Sequence, residues 1–411
     1  MGNSWQFVFK RNTMITYTEK QATAIRLAAT SRCMILTGGP GTGKTTTLSG
    51  ILSRLYDDGY VVRLCAPTGR AAQRMKEQTG RSAETIHRLL QYTPGQGFRR
   101  DRRNPVRVDV LIVDEASMID IELMQRLTDA LPDGARLIIV GDHDQLPSVG
   151  AGNVLRALIQ SGVIPTVTLD TIQRQAEGSL IVQNAHRIIH GQMPLWQNRW
   201  DGEHHDDFLF QRADSDEEAA QIVTDLVARR LPAMLPDTEI QVLTPMKKDG
   251  IATATASLNT RLQREANPDG TRYTLNGHEW RRGDRVIQTR NDYDLQVMNG
   301  DLGRVTGFDP LRGLLIDFSG RTVALDGDHL RHLQLAYAIT IHKSQGSEFP
   351  VVVIPLTMSH AVMLRRNLFY TAVTRARQLC IIVGSRQALE RAVRTEDASV
   401  RNTRLEERMR K

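Results

Sequence analysis

Residues Gly38 to Thr45 read G-G-P-G-T-G-K-T, a complete G-x-x-x-x-G-K-[ST] phosphate-binding loop. Before it, Cys33-Met34-Ile35-Leu36-Thr37 is a short apolar run suited to a buried strand. After it, Thr46 to Tyr56 carries apolar residues at Leu48, Ile51, Leu52 and Leu55, the spacing of one helix face. Strand, glycine loop and helix in that order constrain the fold to an α/β type with the loop at a sheet edge. The glycines let backbone N–H groups curl around phosphate oxygens, and the helix N-terminus adds a positive dipole end. Lys44 is placed to reach the β- and γ-phosphates, and Thr45 to hold Mg²⁺.

With 411 residues, the chain has room for two or three domains. Strand-like runs at Cys33–Leu36, Val61–Cys65, Val110–Val113, Arg136–Val140 and Thr166–Leu169 alternate with helix-like runs at Thr18–Ala29, Gly69–Gln78 and Ile121–Ala130. That rhythm predicts a parallel sheet covered on both faces. Gln91 to Arg107, rich in Gly, Pro and Arg, breaks it and reads as an exposed basic excursion of hairpin type. Ser179 to Val227 reads as helical, interrupted by the polar stretch Gln197–Asp207. Ile240–Thr244 is a further strand and Leu258–Gln263 a helix.

Residues 272–333 change texture. Glycines at 277, 283, 300, 303, 307, 313, 320 and 327 separate short β-like pieces, which predicts a small all-β insert. The αβ texture then resumes with strands Tyr337–Ile341, Val351–Pro355 and Leu379–Val383 and a helix over Arg366–Thr374. The charged tail beyond Arg386 reads as a solvated helix. The whole is an α/β chain of two lobes with a nucleotide cleft between them, divided at residues 1–170 and 171–411.

A net charge of +7 favours an acidic partner, nucleic acid first. The three cysteines, Cys33, Cys65 and Cys380, sit in apolar runs without C-x-x-C spacing, as reduced core residues of a cytoplasmic protein do. No apolar stretch approaches the ~18 residues of a membrane span. The N-terminus shows neither a signal-peptide core nor, at Gln6, the Ser or Thr of a myristoylation signal.

Two more segments carry chemistry beside the phosphate loop. Leu111-Ile-Val-Asp-Glu115 is an apolar strand ending in two acids: Asp114 to hold Mg²⁺ directly or through water, Glu115 to polarise the attacking water. Leu137 to Pro147 is another strand ending in polar residues, among which Gln145 is placed to sense the γ-phosphate. In the second half, Tyr337 to Phe349 and Tyr370 to Arg377 are polar segments after apolar runs. Arg375 is the first choice for an arginine that stabilises transition-state charge, and Arg174 the second.

These motifs occur in a fixed order: G-G-P-G-T-G-K-T, A-P-T-G-R-A-A, T-I-H-R-L-L, V-D-E-A-S, G-D-H-D-Q-L-P-S-V-G-A-G, Q-R-Q, A-I-T-I-H-K-S-Q-G-S-E-F and Y-T-A-V-T-R-A-R. Together they resemble the superfamily 1 helicases, and within them the RecD-like branch, from about Thr18 to Gly384. Leu243 to Gly250, Leu258-Asn259, Gln263, Gly283 to Gln288, Asn291 to Tyr293 and Asn299-Gly300 are typical of that branch.

The resemblance implies two RecA-like P-loop NTPase lobes in tandem. The 91–107 excursion takes the place of a strand-splitting pin, and 272–333 that of a small SH3-like β-barrel. It also implies ATP-driven 5′-to-3′ movement on single-stranded DNA, with unwinding at single-strand/duplex junctions. Nucleotide contacts fall on Gln21, which resembles an adenine-reading glutamine, and on Gly39, Gly41, Thr42, Gly43, Lys44, Thr45, Thr46, Gly346 and Glu348. The DNA track falls on Thr68, Thr85, His87, Thr340 and His342, with Phe98 and Tyr293 as candidates for either base stacking or ordinary packing. Bacterial members carry a sizeable region before the first motor motif, whereas some seventeen residues precede Thr18 here, as in a compact member or a trimmed core.

Two other functions remain consistent with these residues. One is an RNA-directed motor of the same superfamily. The other is a DNA-stimulated motor subunit of a repair, recombination or defence complex that does not unwind alone. His186 and His190, four apart, lack the cysteine or H-E-x-x-H context of a zinc site and read as part of a solvated polar surface.

Overall fold

The computed structural model describes residues 6–7, 15–173, 178–198, 206–248, 250–292, 294–396 and 405. They form two compact units, one within residues 1–178 (with 399–411) and one within 179–398.

The first unit is built on a six-stranded sheet in the order Thr166–Leu169, Cys33–Gly38, Arg136–Gly141, Val110–Val113, Val62–Ala66 and Ala83–Thr85. Every pairing in it is parallel. The pleat sends alternate residues to opposite faces. Ile35, Leu111, Val113, Leu137 and Ile139 enter one core. Their neighbours Met34, Leu36, Val110, Ile112, Ile138 and Val140 enter the other. Both faces are therefore covered, and the strands read as continuous apolar runs rather than alternating ones. Each such side chain contributes about 1.5–3 kcal/mol of burial. Because the strands are parallel, their carboxyl ends share one edge, and the loops after Gly38, Ala66, Thr85, Val113 and Gly141 all emerge there.

The excursion at 91–107 contains a hairpin of two-residue strands, Tyr92–Thr93 and Gly97–Phe98. It turns at Pro94-Gly95-Gln96, where Gln96 N donates to Thr93 O. A second tight turn follows, with Asp101 Oδ1 accepting from the N–H groups of Arg103 and Asn104. The hairpin is not a free prong. The rings of Tyr92 and Phe98 pack together at 4.9 Å, and His87 meets them at 5.5 and 5.7 Å. Phe98 also joins the core beneath, so in this structure it packs rather than standing open for stacking.

The second unit has a five-stranded parallel sheet in the order Phe208–Arg212, Ala376–Gly384, Phe349–Leu356, Ile240–Thr244 and Ala338–Thr340. Phe208–Arg212 corrects the helical reading of 179–227. Helices Leu180–Ile189 and Asp216–Asp225 do form, but an edge strand lies between them. Five residues beside a polar run gave too short a period to reveal it.

Between Ile240–Thr244 and Ala338–Thr340 the chain builds the β insert. Its five antiparallel strands run in the order Arg321–Leu325, Gly313–Phe318, Leu302–Asp309, Arg285–Gln288 and Leu333–Leu335. A separate hairpin pairs Arg272–Leu275 with His278–Arg281. The insert has its own core, including Trp280, Val286, Val305, Ile316 and Leu325. The predicted limit of 333 falls two residues short, because the last strand runs to Leu335 before the chain re-enters the lobe.

A polar seam joins insert to lobe. The Asp284 carboxylate, fully buried, accepts from Gln263 Nε2 (2.6 Å), Arg281 N (2.7 Å), Asn267 Nδ2 (2.8 Å) and Tyr337 OH (2.9 Å). Asn259 accepts from Ala338 N and donates to Leu335 O and Ala338 O. The segments that looked typical of the family around Asn259, Gln263 and Gly283-Asp284 thus include the bolts of this joint. Among the described residues, no helix is long and apolar enough to cross a membrane.

Candidate active site

The phosphate loop leaves its strand at Gly38 and ends where the helix Lys44–Asp57 begins. Gly41 and Gly43 have φ of 70° and 86°, values at which a side chain is strained. A Cβ at Gly43 would also come within 2.5 Å of Gln21 Nε2. Gly43 caps the helix without a side-chain hydrogen bond, so the first-turn N–H groups at Lys44, Thr45 and Thr46 keep their donors for an anion. Lys44 Nζ donates to the loop carbonyls of Gly38 (2.5 Å) and Gly39 (2.9 Å). Thr42 Oγ1 donates to Gly39 O at 2.8 Å. Thr45 and Thr46 are exposed.

Gln21 is buried and forms a capping box with Thr18. Its Oε1 accepts from Thr18 N, and its N–H donates to Thr18 Oγ1. Its amide nitrogen thereby lies against the loop. Gln173 braces the loop from the other direction, its backbone N–H donating to Gly41 O at 2.9 Å. Gln173 is a residue that sequence reasoning missed, although it belongs to the Q-R-Q motif. Arg174, beside it, lies outside the described residues.

Asp114 and Glu115 follow the Val110–Val113 strand at the same edge. Asp114 Oδ1 accepts from Glu115 N at 2.8 Å. Desolvation, then the charge of Glu115, pushes the Asp114 carboxyl up to about 6, against the pull of Arg74, the Glu115 N–H and Lys44. A carboxylate whose charge is this poorly compensated suits a cation ligand, so Asp114 fits a divalent metal. Glu115 sits at φ 52°, ψ 39°, left-handed for a non-glycine residue, a strain of about 1–3 kcal/mol. It is 7% exposed, and its Oε1 accepts from Arg74 Nη1 at 3.3 Å. Arg74 is another residue that sequence reasoning missed.

Next to the phosphate-loop strand, Arg136–Gly141 delivers Asp142 and Gln145. Gln145 is 9% exposed, and its Nε2 donates to Asp142 Oδ2 at 3.1 Å. His143 Nδ1 lies 2.8 Å from Thr37 Oγ1, joining this loop to the phosphate-loop strand. The first unit therefore brings Lys44, Thr45, Asp114, Glu115 and Gln145 to one sheet edge.

The three threonines assigned to a strand track are all helix caps. Thr68 Oγ1 accepts from Ala71 N, Thr85 Oγ1 from Arg88 N, and Thr340 Oγ1 from Lys343 N. Each ends a parallel strand or the loop just after one. Burial lowers the pKa of the His87 imidazolium, with Asp120 opposing. His342 occupies the short helical turn Ile341–Ser344 behind Thr340. Lys343, on the same turn, donates to Gln334 Oε1 at 3.1 Å.

In the second unit, Arg375 is 2% exposed. Its guanidinium donates to Thr371 O, Ser347 O and Thr374 Oγ1. Among the described residues no carboxylate lies within ion-pair distance of it, so a full charge is buried on neutral oxygens alone. Glu348 accepts from Arg377 Nε at 2.6 Å. Gly346 turns at φ 73°. Tyr293 lies outside the described residues. His190 Nδ1 bonds the backbone oxygen of His186 at 2.7 Å, an intrahelical contact rather than a ligand pair.

Comparison with known proteins agrees with this arrangement. The RecD subunit of the RecBCD enzyme from Mycobacterium tuberculosis is 33% identical over 419 residues, covering 91% of this chain and 70% of the relative. The chain belongs to the RecD family. An ATP-dependent RecD2 DNA helicase from Deinococcus radiodurans is 43% identical over 396 residues, 95% of this chain, which spans about half (52%) of that relative's length.

Three family models match: an AAA domain at 16–204, the SH3 domain of ATP-dependent RecD-like DNA helicases at 258–318, and a UvrD-like helicase C-terminal domain at 335–383. The second confirms the insert as SH3-like, and its match begins within the helix Thr255–Ala266 that the polar seam engages. The fold resembles the Pif1 helicase of Candida albicans, with a TM-score of 0.58 at 21% identity over 94% of this chain and 98% of that one. Pif1 from Bacteroides bound to single-stranded DNA matches at TM-score 0.55 and 21% identity, over 89% and 91% of the two chains. The expected pair of RecA-like lobes agrees with the two parallel sheets and with these matches.

Proposed function

We propose that this chain is an ATP-dependent DNA helicase that moves 5′ to 3′ along single-stranded DNA and opens duplex at junctions. The observation that carries the reading is the first unit's edge. An uncapped helix start, Lys44, a cation-seeking Asp114 and a strained Glu115 stand together on one parallel sheet. The Deinococcus relative named an ATP-dependent DNA helicase and the Pif1 structure holding single-stranded DNA support the choice of substrate.

In this proposal Gly39, Gly41, Thr42, Gly43 and Thr46 supply loop and helix N–H groups to phosphate, and Lys44 neutralises it. Gln21 is assigned to the adenine, and Gly346 and Glu348 to the second unit's share of the nucleotide. Thr45 and Asp114 would hold Mg²⁺, which supplies charge neutralisation when bound. Glu115 orients water and takes its proton; Gln145 reports the γ-phosphate. Arg375, a buried charge matched by no carboxylate, is assigned to transition-state stabilisation, with Arg174 as the second candidate. Thr68, Thr85, His87, Thr340 and His342 are assigned to the strand. The capped helix starts behind the threonines offer backbone donors to phosphates without reading sequence.

The test is unwinding of duplexes with a 5′ or a 3′ single-stranded tail, with ATP and Mg²⁺, and Lys44→Ala as control. Opening of the 5′-tailed substrate alone is expected. Lys44→Ala should lower turnover by roughly 10²–10³-fold while strand binding persists. Opening of the 3′-tailed substrate alone would refute the polarity. DNA-stimulated hydrolysis without unwinding would favour a motor subunit, as the mycobacterial relative's name describes.

A further inference from the structure

Glu115, the residue assigned to activating water, is not open to water on every side. One of its oxygens, Oε1, is taken by Arg74 Nη1 at 3.3 Å. The pair is largely withdrawn from solvent, with side chains 21% and 9% exposed. Arg74 stands on the helix Gly69–Thr79, whose cap is Thr68. Thr68 is six residues before Arg74, roughly 9 Å along the axis at 1.5 Å per residue. One short rigid helix therefore has the assigned strand-contacting residue at its start and the partner of the catalytic carboxylate in its middle.

The seat of this helix suits small movements. Its buried residues are Ala71, Ala72 and Met75: the two alanines cluster only with Ala66, while Met75 enters the first unit's core as the helix's one large anchor. Its N-terminal half therefore rests on methyl groups, which interlock little and resist a shift of an ångström or so only weakly, with the unbranched, adaptable Met75 as the pivot behind it. The helix ends at a left-handed glycine cap, Gly80, where φ is 65°, the N–H donates to Lys76 O and an added Cβ would meet nothing within 4 Å.

We propose that Arg74 is a latch on Glu115 that makes hydrolysis depend on a bound strand: phosphates drawn to the Thr68 end shift the helix and free the Glu115 oxygen for water. The inference rests on the functional reading above, in which Thr68 belongs to the strand track. It explains why a base would be paired with a guanidinium before substrate arrives. A carboxylate oxygen accepting from arginine is a poor acceptor for a water proton, and release raises its capacity only when DNA is present. Arg74 acts through Glu115 and is a positioning residue, not a catalytic one.

The experiment measures ATP turnover of the full chain with and without oligo-dT, for wild type, Arg74→Gln and Arg74→Lys. Loss of the charge should raise the DNA-free rate by roughly tenfold, about the worth of one charge-assisted hydrogen bond. The ratio of stimulated to unstimulated rates should fall accordingly, while the oligo-dT concentration at half-stimulation stays unchanged. Arg74→Lys, which keeps the cation, should restore part of the dependence.

A parallel fall of both rates in Arg74→Gln would mean that Arg74 only supports the carboxylate, and would overturn the latch. An intact stimulation ratio would overturn it equally. A wild-type chain that hydrolyses ATP with no response to DNA would instead sink the functional reading on which the latch rests.

Discussion

The two units treat buried acidity in opposite ways. At the first unit's edge, Asp114 shares a small space with Glu115, and its own carboxyl is pushed up to about 6. Inside the second unit, Asp284 is fully buried but receives four hydrogen bonds from three segments of chain. Asp216 shows the same habit. Desolvation works against its charge, yet donors from Thr253, Thr357 and Ala252 outweigh that and hold its carboxyl below the ordinary range. A carboxylate with its lone pairs filled is a joint. A carboxylate left short of partners, next to a second one on a strained backbone, is kept for something that arrives later.

The sharpest way to break this contrast is to remove the joint. Asp284→Ala leaves Gln263, Asn267, Tyr337 and the Arg281 N–H without their shared acceptor. It should cost about 3–5 kcal/mol, since each buried donor left unsatisfied costs about 1–3 kcal/mol and some will find new partners. Chemical denaturation of the full chain measures it. A loss under about 1 kcal/mol, the scale of an ordinary hydrogen bond, would mean that the seam is incidental to how the insert is held.

The next effect is a pH dependence on the same side of the comparison. His360 is fully buried; its Nδ1 accepts from Thr357 N, and its Nε2 lies 3.0 Å from Thr253 Oγ1. Burial lowers its pKa to about 4, with Asp216 opposing. The unfolded imidazole takes its proton near pH 6.5 while the folded one does not. Its contribution is therefore complete above pH 6.5 and is lost as pH falls toward 4, by up to about 3 kcal/mol. Melting temperatures at pH 7.5 and 5 should diverge in the wild type more than in His360→Asn. Equal divergence would assign acid sensitivity to other groups.

What could be read from the chain alone follows the range of the interactions. The phosphate loop, the strand before Asp114 and the glycine-punctuated insert are local patterns, and all formed within a few residues of their expected limits. Phe208–Arg212 escaped because an edge strand of five residues beside a polar run leaves no period to detect. The Arg74–Glu115 pair spans forty-one positions, and nothing local to either residue encodes it. Ring packing hid in the same way: Phe98 was open to two readings until Tyr92 and His87 were seen against it. Motif order identified the family, but which residue of a motif holds another was settled only by the fold.

The smallest predicted effect is also the one that separates the two kinds of carboxylate most directly. Because the folded pKa of Asp114 is raised above its unfolded value, the folded state binds the proton more tightly. Its favourable contribution is present at low pH and is lost as pH rises through about 6. At neutral pH the ionised group is therefore a burden on the fold. Asp114→Asn removes that burden and keeps the shape. It should stabilise the chain by about 1 kcal/mol at pH 7.5, discounted because the residue retains some solvent exposure. The gain should vanish near pH 4.5, where wild-type Asp114 is already protonated. ATP turnover should collapse in the same variant, a stability gained at the expense of function. Asp284→Asn, by contrast, turns an acceptor into a donor facing donors and should destabilise. If Asp114→Asn also destabilised at pH 7.5, Asp114 would belong with the joints, and the contrast between the two units would fail at its catalytic end.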